Sequence, residues 1–218
     1  MSDMPIRILI ADDQEGIRGA FRLILDAQPD MTVVAEAADG LAAIEEARRL
    51  RPDVVLTDVR MPLADGIEVA RALADTDVHV VVVTTFGLEE YVRAALRHGA
   101  SGFVLKRSGP ALLVEAVRAA VSGDVLISPQ LTVGLLRRDA AEPEEAGAPD
   151  PGLTAREEEV VRLVAQARTN AEIAEELFLS PGTVKNHIAA VQRKLGARNR
   201  VGIAAWAWST GRAAASPP

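Results

Sequence analysis

The sequence contains no cysteine. That absence excludes disulfides, thiolate metal sites and cysteine nucleophiles, and it suits a reducing compartment. Aromatic residues make up only 3% of the chain, so any core must be built from aliphatic side chains. The three histidines, His79, His98 and His187, stand apart with no second histidine in register, which argues against a histidine-based metal centre. Long apolar runs are also missing. The opening Met1-Ser-Asp-Met-Pro5 carries no cation, and the apolar stretch behind it spans only about six positions, too short for a signal peptide or a spanning helix. No membrane segment is expected, and a cytoplasmic location is.

What is present describes a folded protein: 49% hydrophobic residues over 218 positions are enough for two cores. The net charge of −7 argues against nucleic acid as a partner of the whole chain. Its distribution reverses that reading at one end. From Thr183 onward Lys185, Arg193, Lys194, Arg198, Arg200 and Arg212 meet no acid at all, so an acidic remainder hides a basic end.

The rest of the chain is organised around Asp53-Val-Val-Leu-Thr-Asp58-Val-Arg-Met-Pro-Leu-Ala-Asp65-Gly66. Val54, Val55 and Leu56 form the apolar run of a buried parallel strand, and Met61-Pro62 with Asp65-Gly66 turns the chain before the next helix. Asp58 is thereby delivered to the carboxyl end of a strand, the edge at which open α/β sheets bind ligands. A second strand, Ile6-Arg-Ile-Leu-Ile10-Ala11, delivers Asp12 and Asp13 to the same kind of position. Three converging carboxylates repel one another, and a hard divalent cation, Mg²⁺ above all, relieves that repulsion. A pocket of that kind suits phosphoryl chemistry.

Residues 6–122 alternate strand and helix patterns, with strands at 6–11, 31–37, 53–57, 78–84 and 102–105. Five βα units imply a flavodoxin-like, doubly wound, five-stranded parallel sheet in the order 2-1-3-4-5, which puts the first and third strands side by side. Thr84 and Thr85 end the fourth strand and Lys106 ends the fifth, on the same edge as the acids. A lysine there can pair with a carboxylate in one state and a phosphoryl oxygen in the other.

On the Asp12-Asp13 pair, the Asp58 stretch, Thr84 and Gly99-Ala-Ser-Gly-Phe-Val-Leu-Lys106, residues 5–122 resemble the receiver domain of two-component response regulators. The resemblance implies Asp58 as phosphoacceptor, Asp12 and Asp13 as metal-site acids and the Arg60 backbone carbonyl in the metal shell. It also implies Thr84 as the switch hydroxyl, Lys106 as the phosphate-pairing lysine and Phe103 as the switch aromatic. A sensor histidine kinase would be the phosphoryl donor. Thr85 competes with Thr84 for the hydroxyl role, and the spacing to Lys106 together with the resemblance favours Thr84.

The expected divisions are a receiver domain over 1–122, a short helix and flexible linker over 123–152, and a helical domain over 153–218. Ile127-Ser-Pro129 starts the short helix, which runs through Arg138, and a stretch rich in proline and acid follows. Thr154-Ala-Arg-Glu157 and Thr169-Asn-Ala-Glu172 are capping boxes that mark two helix starts, and Ser180-Pro181 marks a third. Val184, Ile188, Val191 and Leu195 share the buried stripe of that third helix, while Lys185, Asn186, Ala189 and Arg193 form a narrow polar face. Such a face fits a major groove, with Lys185 and Asn186 suited to base edges and Thr183 and Lys194 to phosphates.

This segment resembles the LuxR-type DNA-binding domain of NarL/FixJ-type regulators, through Asn170-Ala-Glu-Ile-Ala174, Leu179-Ser-Pro-Gly-Thr-Val-Lys-Asn-His187 and Lys194-Leu-Gly-Ala-Arg-Asn-Arg200. The family usually has glycine before the Ser/Thr-Asn that starts the scaffold helix, and here that stretch is Ala167-Arg168-Thr169. The resemblance implies double-stranded DNA as a partner and a homodimer when phosphorylated. The expectation is therefore a transcription factor without enzymatic turnover. Two rivals compete with it: an aspartyl-phosphate phosphatase, disfavoured by the spacing of Asp12 and Asp13, and a DNA-binding protein whose first half is never phosphorylated.

Overall fold

The computed structural model of the protein describes residues 4–85, 89–127 and 151–213. The chain separates into two compact units. One holds the described residues through Val121 and the strand Leu126–Ile127, and the other holds Ser122–Asp124 and the described residues from 151 onward.

The first unit alternates β1 (Ile6–Ala11), α1 (Glu15–Asp26), β2 (Met31–Ala37), α2 (Gly40–Leu50), β3 (Val54–Asp58), α3 (Gly66–Leu73), β4 (His79–Thr84), α4 (Glu89–Arg97), β5 (Gly102–Leu105) and α5 (Pro110–Ser122). A sixth, two-residue strand β6 (Leu126–Ile127) follows. All pairings are parallel, in the order β2-β1-β3-β4-β5-β6. The expected doubly wound order holds, with β6 added at the edge beside β5. Every residue of β3 is buried, as a central strand covered on both faces requires. Ile8, Ile10, Val54, Leu56, Val81, Val83 and Val104 fill one face of the sheet and pack with Phe21 and Leu25 of α1 and Leu113, Val114 and Val117 of α5.

Short polar side chains start two of the helices that follow strands, α2 and α3. Asp39 accepts from Ala42 N at 2.8 Å to cap α2, and Asp65 accepts from Ile67 N and Glu68 N while Glu68 returns a bond to Asp65 N. Gly66 is required by contact: a Cβ there would lie 2.1 Å from the Asp58 carbonyl oxygen. The start of α3 is thus pressed against the end of β3, and the Asp58 loop is held shut.

The second unit contains α6 (Ala155–Ala165), α7 (Asn170–Glu176), α8 (Pro181–Leu195) and α9 (Arg200–Ser209). Both expected capping boxes form, on Thr154 with Glu157 and on Thr169 with Glu172. Ser180 caps α8, Pro181 takes its first position and Gly196 ends it in the left-handed conformation. Val160, Val161, Leu163, Val164, Ile173, Val184, Ile188, Val191 and Ile203 make one core from all four helices. The expected short helix through Arg138 and the proline-rich stretch behind it fall within 128–150, outside the described residues. Among the described residues no helix is long and apolar enough to cross a membrane.

Candidate functional site

β1 and β3 pair directly, Ala11 against Thr57, so Asp12 and Asp58 leave the sheet at one edge. One carboxylate oxygen from each of Asp12, Asp13 and Asp58 lies within 4.8 Å of the others. Asp12 and Asp58 are buried and Asp13 is exposed, so the cluster opens to solvent on Asp13's side. There a cleft of about 390 Å³ is lined by Asp13, Arg60, Met61 and Tyr91, among others.

Lys106, directly after β5, reaches the same cluster. Its Nζ is 2.9 Å from Asp58 Oδ2 and 2.6 Å from Asp12 Oδ2, and its side chain is buried. Burial opposes its charge, but pairing with Asp12 and Asp58 prevails and raises the ammonium's pKa, so Lys106 is a fixed cation. Asp58 behaves differently. Burial pushes its carboxyl above the usual range, and the neighbouring Asp12 adds to that, against the lowering effects of Lys106 and of the Val59 amide, which donates to Asp58 Oδ1 at 2.7 Å.

Two buried carboxylates and a third at the rim are balanced here by one lysine. The deficit of positive charge and the all-oxygen donor set fit a hard divalent cation. The donor set supports that fit: Asp12 Oδ2 and Asp58 Oδ2 are both buried and share the single Lys106 ammonium, at 2.6 and 2.9 Å. Asp12, Asp13 and Asp58 would hold Mg²⁺ through carboxylate oxygens.

Thr84 is the last residue of β4, buried and in register with Leu105, while Thr85 is exposed. Phe103 is fully buried in β5 and pairs with Val82. Because side chains alternate along a strand, Thr84 and Phe103 share the face opposite Val81, Val83 and Val104.

In the second unit, Val184, Ile188 and Val191 of α8 are buried and Lys185, Asn186 and Arg193 are exposed. Thr183 Oγ1 lies 2.9 Å from Ser180 Oγ, which caps the Thr183 amide, so both hydroxyls sit at the start of α8 where free amides favour an anion. Ala189 is half-buried on the same side as Lys185 and Asn186.

Two family models match the chain: the response regulator receiver domain over residues 8–118, and bacterial regulatory proteins of the luxR family over 151–207. The uncharacterized transcriptional regulatory protein YxjL of Bacillus subtilis strain 168 is 38% identical, with 92% of this chain and 94% of that protein covered. The transcriptional regulatory protein LiaR of the same strain is 37% identical over 93% of this chain and 96% of its own. Among solved structures, the response regulator ChrA of a haem-sensing two-component system is 35% identical, covering 95% of this chain and 98% of that one, with a TM-score of 0.53. A structure of the RcsB response regulator with DNA is 26% identical, covering 94% and 98%, with a TM-score of 0.57. The chain belongs to the LuxR-type response regulators of two-component systems.

In this response regulator the structure gathers Asp12, Asp13, Asp58 and Lys106 into one site and places Thr84 and Phe103 on one sheet face. Lys194, expected to hold a phosphate, donates in the DNA-free chain to Glu157 Oε2 at 2.6 Å and Gly152 O at 3.0 Å, joining α8 to the start of α6. That bond, with the Thr154 amide, holds the Glu157 carboxyl down to about 2. Arg200 is also withdrawn from the basic run: it is buried, with Nη1 2.7 Å from Asn170 Oδ1. Trp206 packs on the core with Arg212 4.7 Å above its ring, and Trp208 is 67% exposed while its Nε1 donates to Ala165 O.

Proposed function

We propose that a sensor histidine kinase transfers a phosphoryl group to Asp58, and that this transfer controls the DNA-binding half of the chain. The observation that carries the reading is the position of Asp58, buried at the sheet edge with two other carboxylates and with Lys106 2.9 Å away. In the transfer the bond from phosphorus to the donor nitrogen breaks as an Asp58 oxygen bonds to phosphorus. Asp12, Asp13, Asp58 and the Arg60 carbonyl would hold Mg²⁺, which would supply charge neutralisation for the phosphoryl oxygens. Lys106 changes partner from the Asp58 carboxylate to a phosphoryl oxygen, and Thr84 donates its hydroxyl to another. Phe103 moves with Thr84, which alters the receiver surface and favours a homodimer.

The DNA-binding contacts on α8 are then Lys185, Asn186 and Ala189 toward base edges and Thr183 and Arg193 toward phosphates of double-stranded DNA. The protein works in the cytoplasm as a regulator rather than as a turnover enzyme. The experiment is sedimentation of wild type and Asp58→Asn in Mg²⁺, with and without beryllofluoride, a stable mimic of the acyl phosphate. A shift to dimer in wild type alone is expected. An equal shift in both proteins, or none in wild type, contradicts the proposed coupling.

A further inference from the structure

Asp12 is anchored through its backbone as well as its carboxylate. Its amide donates to Ala37 O at 3.1 Å, its Oδ1 accepts from Gln14 N at 3.0 Å, and its carbonyl oxygen accepts from Arg18 Nη1 at 2.8 Å. The arginine is oddly placed. It ends the first turn of α1, where the helix dipole disfavours a cation, yet its side chain is only 15% exposed. Glu36 on β2 holds it there, with Oε2 3.3 Å from Arg18 Nε and Oε1 accepting from Arg22 Nε at 2.5 Å.

A peptide unit is planar, so a group that fixes the Asp12 carbonyl also fixes the Asp13 amide and the direction in which Asp13 leaves it. Asp13 depends on that constraint. It is exposed, and among the described residues no hydrogen bond or ion pair restrains its carboxylate. From this we infer that Arg18, aligned by Glu36, is a positioning residue of the acid site. It sets the Asp12–Asp13 peptide so that both carboxylates reach the divalent cation shared with Asp58. The inference rests on the Mg²⁺ reading given above and extends it to two residues outside the acid cluster.

Outer partners that orient metal ligands alter metal affinity by about 10- to 100-fold when removed. The test uses full-length wild type, Arg18→Ala, Arg18→Lys and Glu36→Gln, with Mg²⁺ affinity from titration calorimetry and amide hydrogen exchange of Asp13 and Gln14 in metal-free protein. Arg18→Ala is expected to bind Mg²⁺ at least about tenfold more weakly. Its Asp13 and Gln14 amides exchange faster with no metal present. At saturating Mg²⁺ its phosphoryl uptake from acetyl phosphate returns toward the wild-type rate, which separates positioning from chemistry. Arg18→Lys keeps a donor for the carbonyl and lies between wild type and Arg18→Ala. Unchanged Mg²⁺ affinity and unchanged exchange in a folded Arg18→Ala overturn the inference, however far its melting temperature falls. If Arg18→Ala does not fold, Glu36→Gln decides: wild-type affinity there overturns it as well. A wild type that binds no Mg²⁺ defeats the proposed function itself, and the inference falls with it.

Discussion

The acid site and the face of α8 are built on opposite principles. At the sheet edge Asp12, Asp58 and Lys106 are buried in mutual contact, so chemistry and folding draw on the same charges. On α8 the residues assigned to DNA are mostly exposed, while Val184, Ile188 and Val191, with Leu195 packed beside them and Lys194 bonded to Glu157, tie the helix to its core. A buried ion pair that loses one partner leaves an uncompensated charge, whereas an exposed side chain leaves almost nothing behind. Substitutions should therefore disturb stability and function together in the first region, and function alone in the second.

The sharpest break in that comparison is Lys106→Met. With the cation gone, Asp12 and Asp58 repel each other across a buried edge, and denaturant unfolding in EDTA should show a loss of about 3 kcal/mol. Mg²⁺ should restore part of it; a variant as stable as wild type in EDTA would mean that the charges are already relieved by solvent. Lys185→Ala and Asn186→Ala provide the contrast. On duplexes selected by wild type from a randomised pool, each should cost about 1–3 kcal/mol of binding. Unfolding free energy should stay within about 0.5 kcal/mol of wild type. A large loss of stability would show that the α8 face is part of the fold.

Glu157 and Lys194 sharpen the comparison within the second unit, since this pair is structural on an otherwise functional helix. The folded-state pKa of Glu157 lies near 2, below the ordinary carboxyl value of 4.5. Because it is depressed, the pair stabilises fully above 4.5, and that contribution is lost as pH falls from there through about 2. Glu157→Gln should lower stability at neutral pH by about 1–2 kcal/mol and flatten the acid limb of the stability profile. Lys194→Met should share the stability loss and leave the salt dependence of DNA binding unchanged, as expected of a lysine that meets no phosphate. A reduced salt slope would return Lys194 to the DNA interface.

The smallest effect belongs to Ala167. Its φ of 60° lies in the left-handed region, where a Cβ is strained. Ala167→Gly should stabilise the second unit by about 0.5–1 kcal/mol, the relief of strain exceeding the added freedom of the unfolded chain. A destabilised variant would show that the turn is not strained.

Much of this was legible because local chemistry announces itself along the chain. Strand runs of Val and Ile, and caps such as Thr154 with Glu157, need only their neighbours to be recognised. The strand edge likewise reveals Asp12, Asp58 and Lys106, because a parallel sheet sends the residue after each strand to one side. What escaped depends on contacts between distant positions. β6 has two residues and no measurable period. Lys194 and Arg200 resemble solvent cations until Glu157 and Asn170 are brought beside them in space. The Arg18–Glu36 bracket spans a helix and a strand with no pattern to mark it, except a cation in the first turn of a helix.

Every other assignment at the acid site depends on Asp58 as the phosphoacceptor. That role is tested most directly by intact-mass spectrometry of wild type and Asp58→Asn after incubation with acetyl phosphate and Mg²⁺. A gain of one phosphoryl group is expected in wild type, lost in EDTA and absent from Asp58→Asn. Equal phosphoryl uptake by Asp58→Asn would contradict it.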